Sequence, residues 1–201
     1  MGSVEELGRR DRKKVETRAA LADAALRLVA ERGLAGVTVE DIAEAADVSS
    51  RTFFNYFPSK EDALLVTPAG VEAAWPSSLA AAPPGLTALQ ALRLVLRGQA
   101  ESMQRRAEEI MLRIKVIEEN PSLLPRLVSG GFENERALAA AVAERIGPRR
   151  AAGGYPELLA AVGMAAFRVS MLRWARTKGS VPMSDLLDDA FDRLAAGLPE
   201  P

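Results

Sequence analysis

The chain predicts an all-α fold, and three observations carry that prediction. Apolar residues recur at three- and four-residue spacing from Leu21 to Leu194, the period of a helix with one buried face. No stretch alternates apolar and polar residues as a half-buried strand does. Capping residues and helix-stopping Gly or Pro fall between the periodic segments. About nine helices follow from this pattern. They divide into an N-terminal three-helix unit, residues 1–66, and a C-terminal helical bundle, residues 67–201.

Residues 1–8 carry little pattern and are expected to fray. A helix follows from Arg12, with Leu21, Ala25, Leu28 and Val29 on one stripe, and Gly33 ends it. Thr38-x-x-Asp41 forms a capping-box pattern for a second helix that carries Val39, Ile42, Ala43 and Ala46 and stops at Asp47. Ser49 caps a third, roughly 49–55, and Ser59-x-x-Asp62 caps a fourth from Lys60 that continues past 66. Thr67 to Gly70 interrupts the pattern, and Pro76 to Gly85 reads as a loop. Leu86 to Leu96 open the next helix, which breaks near Gln104–Arg106. Ile110, Ile114 and Ile117 carry another to Asn120-Pro121, and a longer one runs from about Ser122 to Ile146 with Gly130-Gly131 as a weak point. A loop between Gly147-Pro148 and Gly153-Gly154 precedes a helix from Pro156 to about Lys178. Ser184 is the expected cap of the last helix.

Composition excludes whole classes of chemistry. The 201 residues include no His and no Cys. Imidazole or thiolate zinc sites, disulfides, and Ser-His-Asp or Cys-His catalysis are therefore excluded. No catalytic residue, metal site or cofactor is expected. The formal net charge of −1 announces no nucleic-acid partner by itself. The longest uncharged run, Ala73 to Leu92, contains Pro76, Pro83, Pro84 and Gly85 and cannot span a membrane. No signal peptide opens the chain, and no Ser or Thr follows Met1-Gly2 at position 6 as myristoylation requires. A cytoplasmic protein with no membrane partner is expected.

Residues 38–60 carry the functional signal. Three short helices with a tight turn between the last two form a helix-turn-helix arrangement, whose second helix enters the DNA major groove. Ala43 and Ala46 are small enough for a close crossing, Val48 plugs the turn, and Phe53 and Phe57 are expected inside. Ser50, Arg51, Thr52, Asn55 and Tyr56 are then free to face bases and phosphates. Lys60 stands at a helix N-terminus, which favours phosphate. Residues 9–18, including Arg12, Lys13 and Arg18, are net +4, whereas residues 1–66 as a whole are net −2. The attractive field must therefore be local.

The run T-V-E-D-I-A-x-x-A-x-V-S-x-x-T-F-F-x-Y-F-x-S-K resembles the signature of TetR-family transcriptional regulators, over about residues 10–66. The resemblance implies a homodimer that binds a palindromic operator in double-stranded DNA, with Thr38, Arg51, Thr52, Tyr56 and Lys60 at the DNA. Two positions depart from the family pattern. Asp47 stands where Gly is usual, and Asp tolerates the left-handed conformation that the turn needs. Phe54 stands where Tyr is frequent and has no hydroxyl for a phosphate.

The C-terminal part, Glu118 to Leu123 and then Glu133 to Gly147, loosely resembles mycofactocin-type regulators, which implies an acyl-type apolar effector. Candidate pocket residues are Met103, Met111, Phe132, Met164, Phe167, Met171 and Trp174, although residues of these types are more often plain core. Arg97, Arg113 and Arg168 could meet an acidic ligand group, but more often such residues are exposed or pair with Glu108, Glu109 or Glu118. Leu158 to Phe167 is uncharged on every side, so its helix must be buried on more than one face. The TetR-family resemblance implies a dimer contact through about 157–177 and 184–197, and a monomer core helix is the alternative. A repressor released by a small apolar effector is the leading reading. A helical carrier leaves the basic run unexplained, and an enzyme lacks convergent carboxylates.

Overall fold

The structure, a computed structural model, describes residues 9–65 and 75–198, with the side chains of residues 9–11 outside the described set. The expectations for residues 1–8, for Thr67 to Gly70 and for an extension of the fourth helix past 66 lie outside the described residues. Among the described residues there are eleven α-helices and no strand. They are α1 (Arg9–Arg32), α2 (Val39–Ala45), α3 (Ser50–Phe54), α4 (Lys60–Leu65), α5 (Trp75–Ala81) and α6 (Ala88–Gln104). Then come α7 (Ala107–Glu119), α8 (Leu124–Ile146), α9 (Pro148–Ala151), α10 (Tyr155–Arg176) and α11 (Met183–Ala195).

The fold class follows the expectation, and the helix count exceeds it by α5 and α9. Pro148 opens α9, where a missing N–H costs nothing. Trp75 and Leu79 are buried, which holds α5 as a helix where a loop was expected. The last helix begins at Met183, with Pro182 as N-cap, so Ser184 is not the cap. Its hydroxyl donates to Asp185 Oδ1 at 3.3 Å instead. α8 runs unbroken through Gly130-Gly131.

The described residues form two compact units, 9–65 with 112–127 and 75–111 with 128–198. Residues 112–127 join the first unit because Val116 and Leu123 are part of its core, beside Leu21, Ala25, Ile42, Phe53, Phe57 and Leu64. In the second unit α11 packs on α6 and α10. A Cβ at Gly163 of α10 would stand 2.5 Å from Leu92 Cδ2 of α6, so glycine permits that approach. Ser170 Oγ ties α10 to α11 by donating to Leu186 O at 3.1 Å.

Candidate nucleic-acid interface

Each helix of the motif starts from a capping residue three positions ahead of its partner. At α2, Asp41 N–H donates to Thr38 Oγ1 at 3.1 Å, and Thr38 N–H donates to Asp41 Oδ2 at 2.8 Å. This is a complete capping box. Hydrogen bonds from the Thr38 hydroxyl and then its N–H hold the Asp41 carboxyl below its ordinary value, outweighing a small burial effect, and Arg32 adds to them. At α3, Thr52 N–H donates to Ser49 Oγ at 3.1 Å. At α4, Asp62 N–H donates to Ser59 Oγ at 3.3 Å.

The turn between α2 and α3 is a Schellman closure. Val48 N–H reaches Ala43 O at 2.9 Å and Asp47 N–H reaches Glu44 O at 3.0 Å. That closure puts Asp47 at φ 53°, the left-handed conformation expected of it. It also fixes how α3 leaves α2.

α3 then sorts its side chains by face. Phe53 and Phe57 are buried, with ring centroids 5.7 Å apart. Arg51, Phe54 and Asn55 are exposed, and Ser50, Thr52 and Tyr56 are half-buried. Thr52 Oγ1 lies 2.9 Å from Ser49 Oγ, so its hydroxyl already has one partner. Tyr56 packs its ring against the core of the unit. Arg12 and Lys13 are exposed on the first turns of α1. Arg18 sits with its guanidinium carbon 5.0 Å from the Phe57 ring centroid.

Lys60 is placed differently from a free phosphate ligand. Its Nζ donates to Leu34 O and to Val37 O, each at 2.7 Å. One ammonium thus holds the α1–α2 turn and keeps its third N–H. Beside α3, Glu40, Glu44 and Asp47 line an open depression of about 490 Å³ together with Ala43, Val48, Ser49 and Ser50. The α2 flank beside α3 is therefore acidic.

Two arginines outside the motif belong to this unit. The buried Arg113 donates through Nη1 to Leu64 O at the end of α4. Arg126 Nη1 lies 2.7 Å from Asp62 Oδ1 and 2.9 Å from Ser59 Oγ. Burial raises the Asp62 pKa, but the Ser59 and Arg126 hydrogen bonds outweigh it and leave the carboxyl below its ordinary value. Nothing in the local sequence pattern marks either arginine, because each partner lies tens of residues away.

In the second unit the pocket candidates do not share one environment. Met103, Phe167 and Trp174 are buried, and Phe167 meets Trp75 edge-on with centroids 5.8 Å apart. Met111, Met164 and Met171 are half-buried, and Phe132 is 60% exposed. Trp75 Nε1, Gln99 Oε1 and Trp174 Nε1 are buried without a hydrogen-bond partner. Arg97 pairs with Glu101 at 3.3 Å and with Asp188, rather than with the glutamates expected for it, and Arg168 is exposed.

A capped, left-handed turn presenting a short polar helix over an aromatic core defines the class of helix-turn-helix transcriptional regulators. The comparisons agree. A family model described as "Bacterial regulatory proteins, tetR family" matches residues 21–65, and one described as "MftR C-terminal domain" matches residues 86–199. The HTH-type transcriptional regulator TcmR of Streptomyces glaucescens is 33% identical over 175 residues, 83% of this chain and 76% of that protein. The HTH-type transcriptional repressor KstR of Rhodococcus jostii (strain RHA1) is 37% identical over 90 residues, 45% of this chain and 42% of that one. The structure of Thermus thermophilus FadR, a TetR-family repressor in complex with lauroyl-CoA, matches with TM-score 0.53 and 26% identity. The match covers 92% of this chain and 96% of that one. The chain belongs to the tetR family of bacterial regulatory proteins, and it is a transcriptional regulator, not an enzyme.

Proposed function

We propose that the protein is a homodimeric, cytoplasmic repressor that leaves a palindromic operator when a small acyl-type effector binds. The observation that carries the DNA half is the sorting of α3, with Phe53 and Phe57 buried and Arg51 and Asn55 exposed on the other face. Arg51 and Asn55 read base edges, with Ser50, Thr52 and Tyr56 beside them. Thr38, Arg12, Lys13 and the third N–H of Lys60 hold phosphates. DNA binding resides in residues 1–66, with 112–127 packed into the same unit. Effector binding and dimerisation reside in the rest.

The dimer reading is supported by α10. By length and composition this helix could cross a membrane, with a window hydropathy of 1.4, yet only 39% of that window is buried. Leu158, Val162, Ala165, Val169 and Leu172 form one stripe at four- and three-residue steps. Leu158 is 63% and Val169 49% exposed. A second copy of the same stripe covers it under twofold symmetry, which two half-sites require.

The effector reading is supported by the lauroyl-CoA bound to Thermus thermophilus FadR. Met103, Met111, Phe132, Met164, Phe167, Met171 and Trp174 are the apolar side chains of the second unit that we assign to the effector. The unpaired Trp75 Nε1 and Gln99 Oε1 suit an effector that carries a polar group as well as a chain. Population shift links the sites, the effector favouring a dimer whose recognition helices are spaced wrongly for the operator.

Footprinting on DNA upstream of the protein's own gene, with and without lauroyl-CoA, tests this reading. A protected palindrome that lauroyl-CoA releases is expected. Arg51→Ala relaxes specificity at one base pair per half-site, by about 1–3 kcal/mol at that position. Absence of any sequence-specific protection at every salt concentration would sink it.

A further inference from the structure

We propose that Arg126 is a positioning residue for DNA binding, acting through the N-terminus of α4 on the turn that leads into α2. The inference rests on the DNA-binding reading above and adds a residue 67 positions from Ser59, one of its two partners there.

The contacts form a continuous polar chain. Arg126, near the start of α8, reaches Asp62 Oδ1 at 2.7 Å and Ser59 Oγ at 2.9 Å. Ser59 and Asp62 cap α4 together, the Ser59 hydroxyl donating to Asp62 Oδ2 at 2.7 Å. Lys60, between them, donates to Leu34 O and Val37 O. Val37 precedes Thr38, the N-cap of α2. Arg126 is thus linked, bond by bond, to the first turn of the helix that sets the angle of α3.

The buried Ala63 and Leu64 of α4 fix how deep it sits, since apolar burial carries no direction. Directional contacts fix its position along its own axis. Arg113 supplies one at Leu64 O, and Arg126 the other at Asp62 and Ser59. Lys60 can hold the α1–α2 turn in place only while α4 itself is held. Loosening α4 lowers the fraction of molecules with α2 and α3 correctly set, and apparent affinity falls by that fraction.

The test uses the full-length protein and the upstream DNA that the wild type protects, with affinity measured over a series of KCl concentrations. Arg126→Ala is expected to weaken binding about fivefold. The slope of log affinity against log salt should stay unchanged, because no phosphate contact is lost. Arg126→Lys should recover part of the loss. In a Lys60→Met background the Arg126→Ala loss should largely vanish, since the link to the turn is already cut. Wild-type affinity in Arg126→Ala overturns the proposal. So does a slope reduced by about one, which would make Arg126 a phosphate ligand, or a loss that adds fully to that of Lys60→Met. If circular dichroism shows Arg126→Ala unfolded, Asp62→Asn carries the same test. A wild type that protects no DNA refutes the DNA-binding reading itself, which is a separate outcome.

Discussion

The two compact units hold themselves together over very different distances along the chain. In the first, the side-chain bonds that shape the motif join residues three apart: Thr38 to Asp41, Ser49 to Thr52, and Ser59 to Asp62. In the second, the main ties are remote. Arg93 Nε reaches Asp188 Oδ1 at 2.7 Å across 95 positions, and Met183 N–H reaches Gln104 Oε1 at 3.2 Å across 79. The Arg145 guanidinium gathers the carbonyls of Leu79, Ala82, Pro83 and Leu86. The difference teaches that the DNA-binding unit is built from locally determined turns set on an aromatic core, whereas the second unit is a bundle whose helices are positioned by long-range charge and packing. The turns of the motif are set locally, and the remote contacts of Arg113 and Arg126 then bear on where α4 sits.

The comparison can be broken most severely at the aromatic core. Phe57 is 1% exposed and lies between Phe53 and the Arg18 guanidinium. Phe57→Ala should cost about 3–5 kcal/mol, through lost transfer energy and a cavity. Urea denaturation followed by circular dichroism should show the first unit melting ahead of the second. A loss below about 1 kcal/mol would mean that the ring is not a keystone of that unit.

A smaller break is expected in the second unit at Arg145. Arg145→Ala leaves several carbonyls to water and should cost about 2 kcal/mol. Arg145→Lys should recover only part, because an ammonium lacks the planar fork that spans several acceptors. The readout is thermal unfolding, with operator affinity at low temperature unchanged. Equal loss of operator affinity in the folded variant would show that Arg145 matters beyond its own unit.

The same contrast explains what could be read from the amino-acid order. The capping pairs of α2, α3 and α4, the left-handed Asp47 and the burial of Phe53 and Phe57 were legible because the interacting atoms lie within one turn of each other. Arg126 was invisible because its partners Ser59 and Asp62 are remote, and an isolated Arg in a helix ordinarily reads as a solvated charge. Arg97 pairs with Glu101 and Asp188, neither of them among the glutamates weighed for it. Glu101, one turn away, is local and could have been seen, whereas Asp188 could not. The stretch from Pro76 was read as loop because proline and alanine dominate it. Burial of Trp75 and Leu79 then overrode that composition, as tertiary packing does for short helices. Only the structure identifies Leu92 as the side chain that Gly163 lets approach.

The smallest predicted effect sharpens the comparison at its most local point. Asp47 occupies the left-handed position of the turn and also contributes negative charge beside α3. These two properties can be separated. Asp47→Gly removes both the conformational cost and the charge, and should raise stability by about 0.5–1 kcal/mol. Asp47→Asn keeps a side chain that tolerates the left-handed region and removes only the charge, so stability should change little. Both variants should bind operator more tightly than wild type by a similar factor, and the gain should shrink as salt rises. Thermal unfolding and binding over a salt series read the two effects independently. If Asn matches Gly in stability, the backbone strain at φ 53° is negligible and the turn is set by its hydrogen bonds alone. If neither variant changes affinity, the acidic flank of α2 lies too far from phosphate to matter. The one-sided field would then be set entirely by α1 and α3.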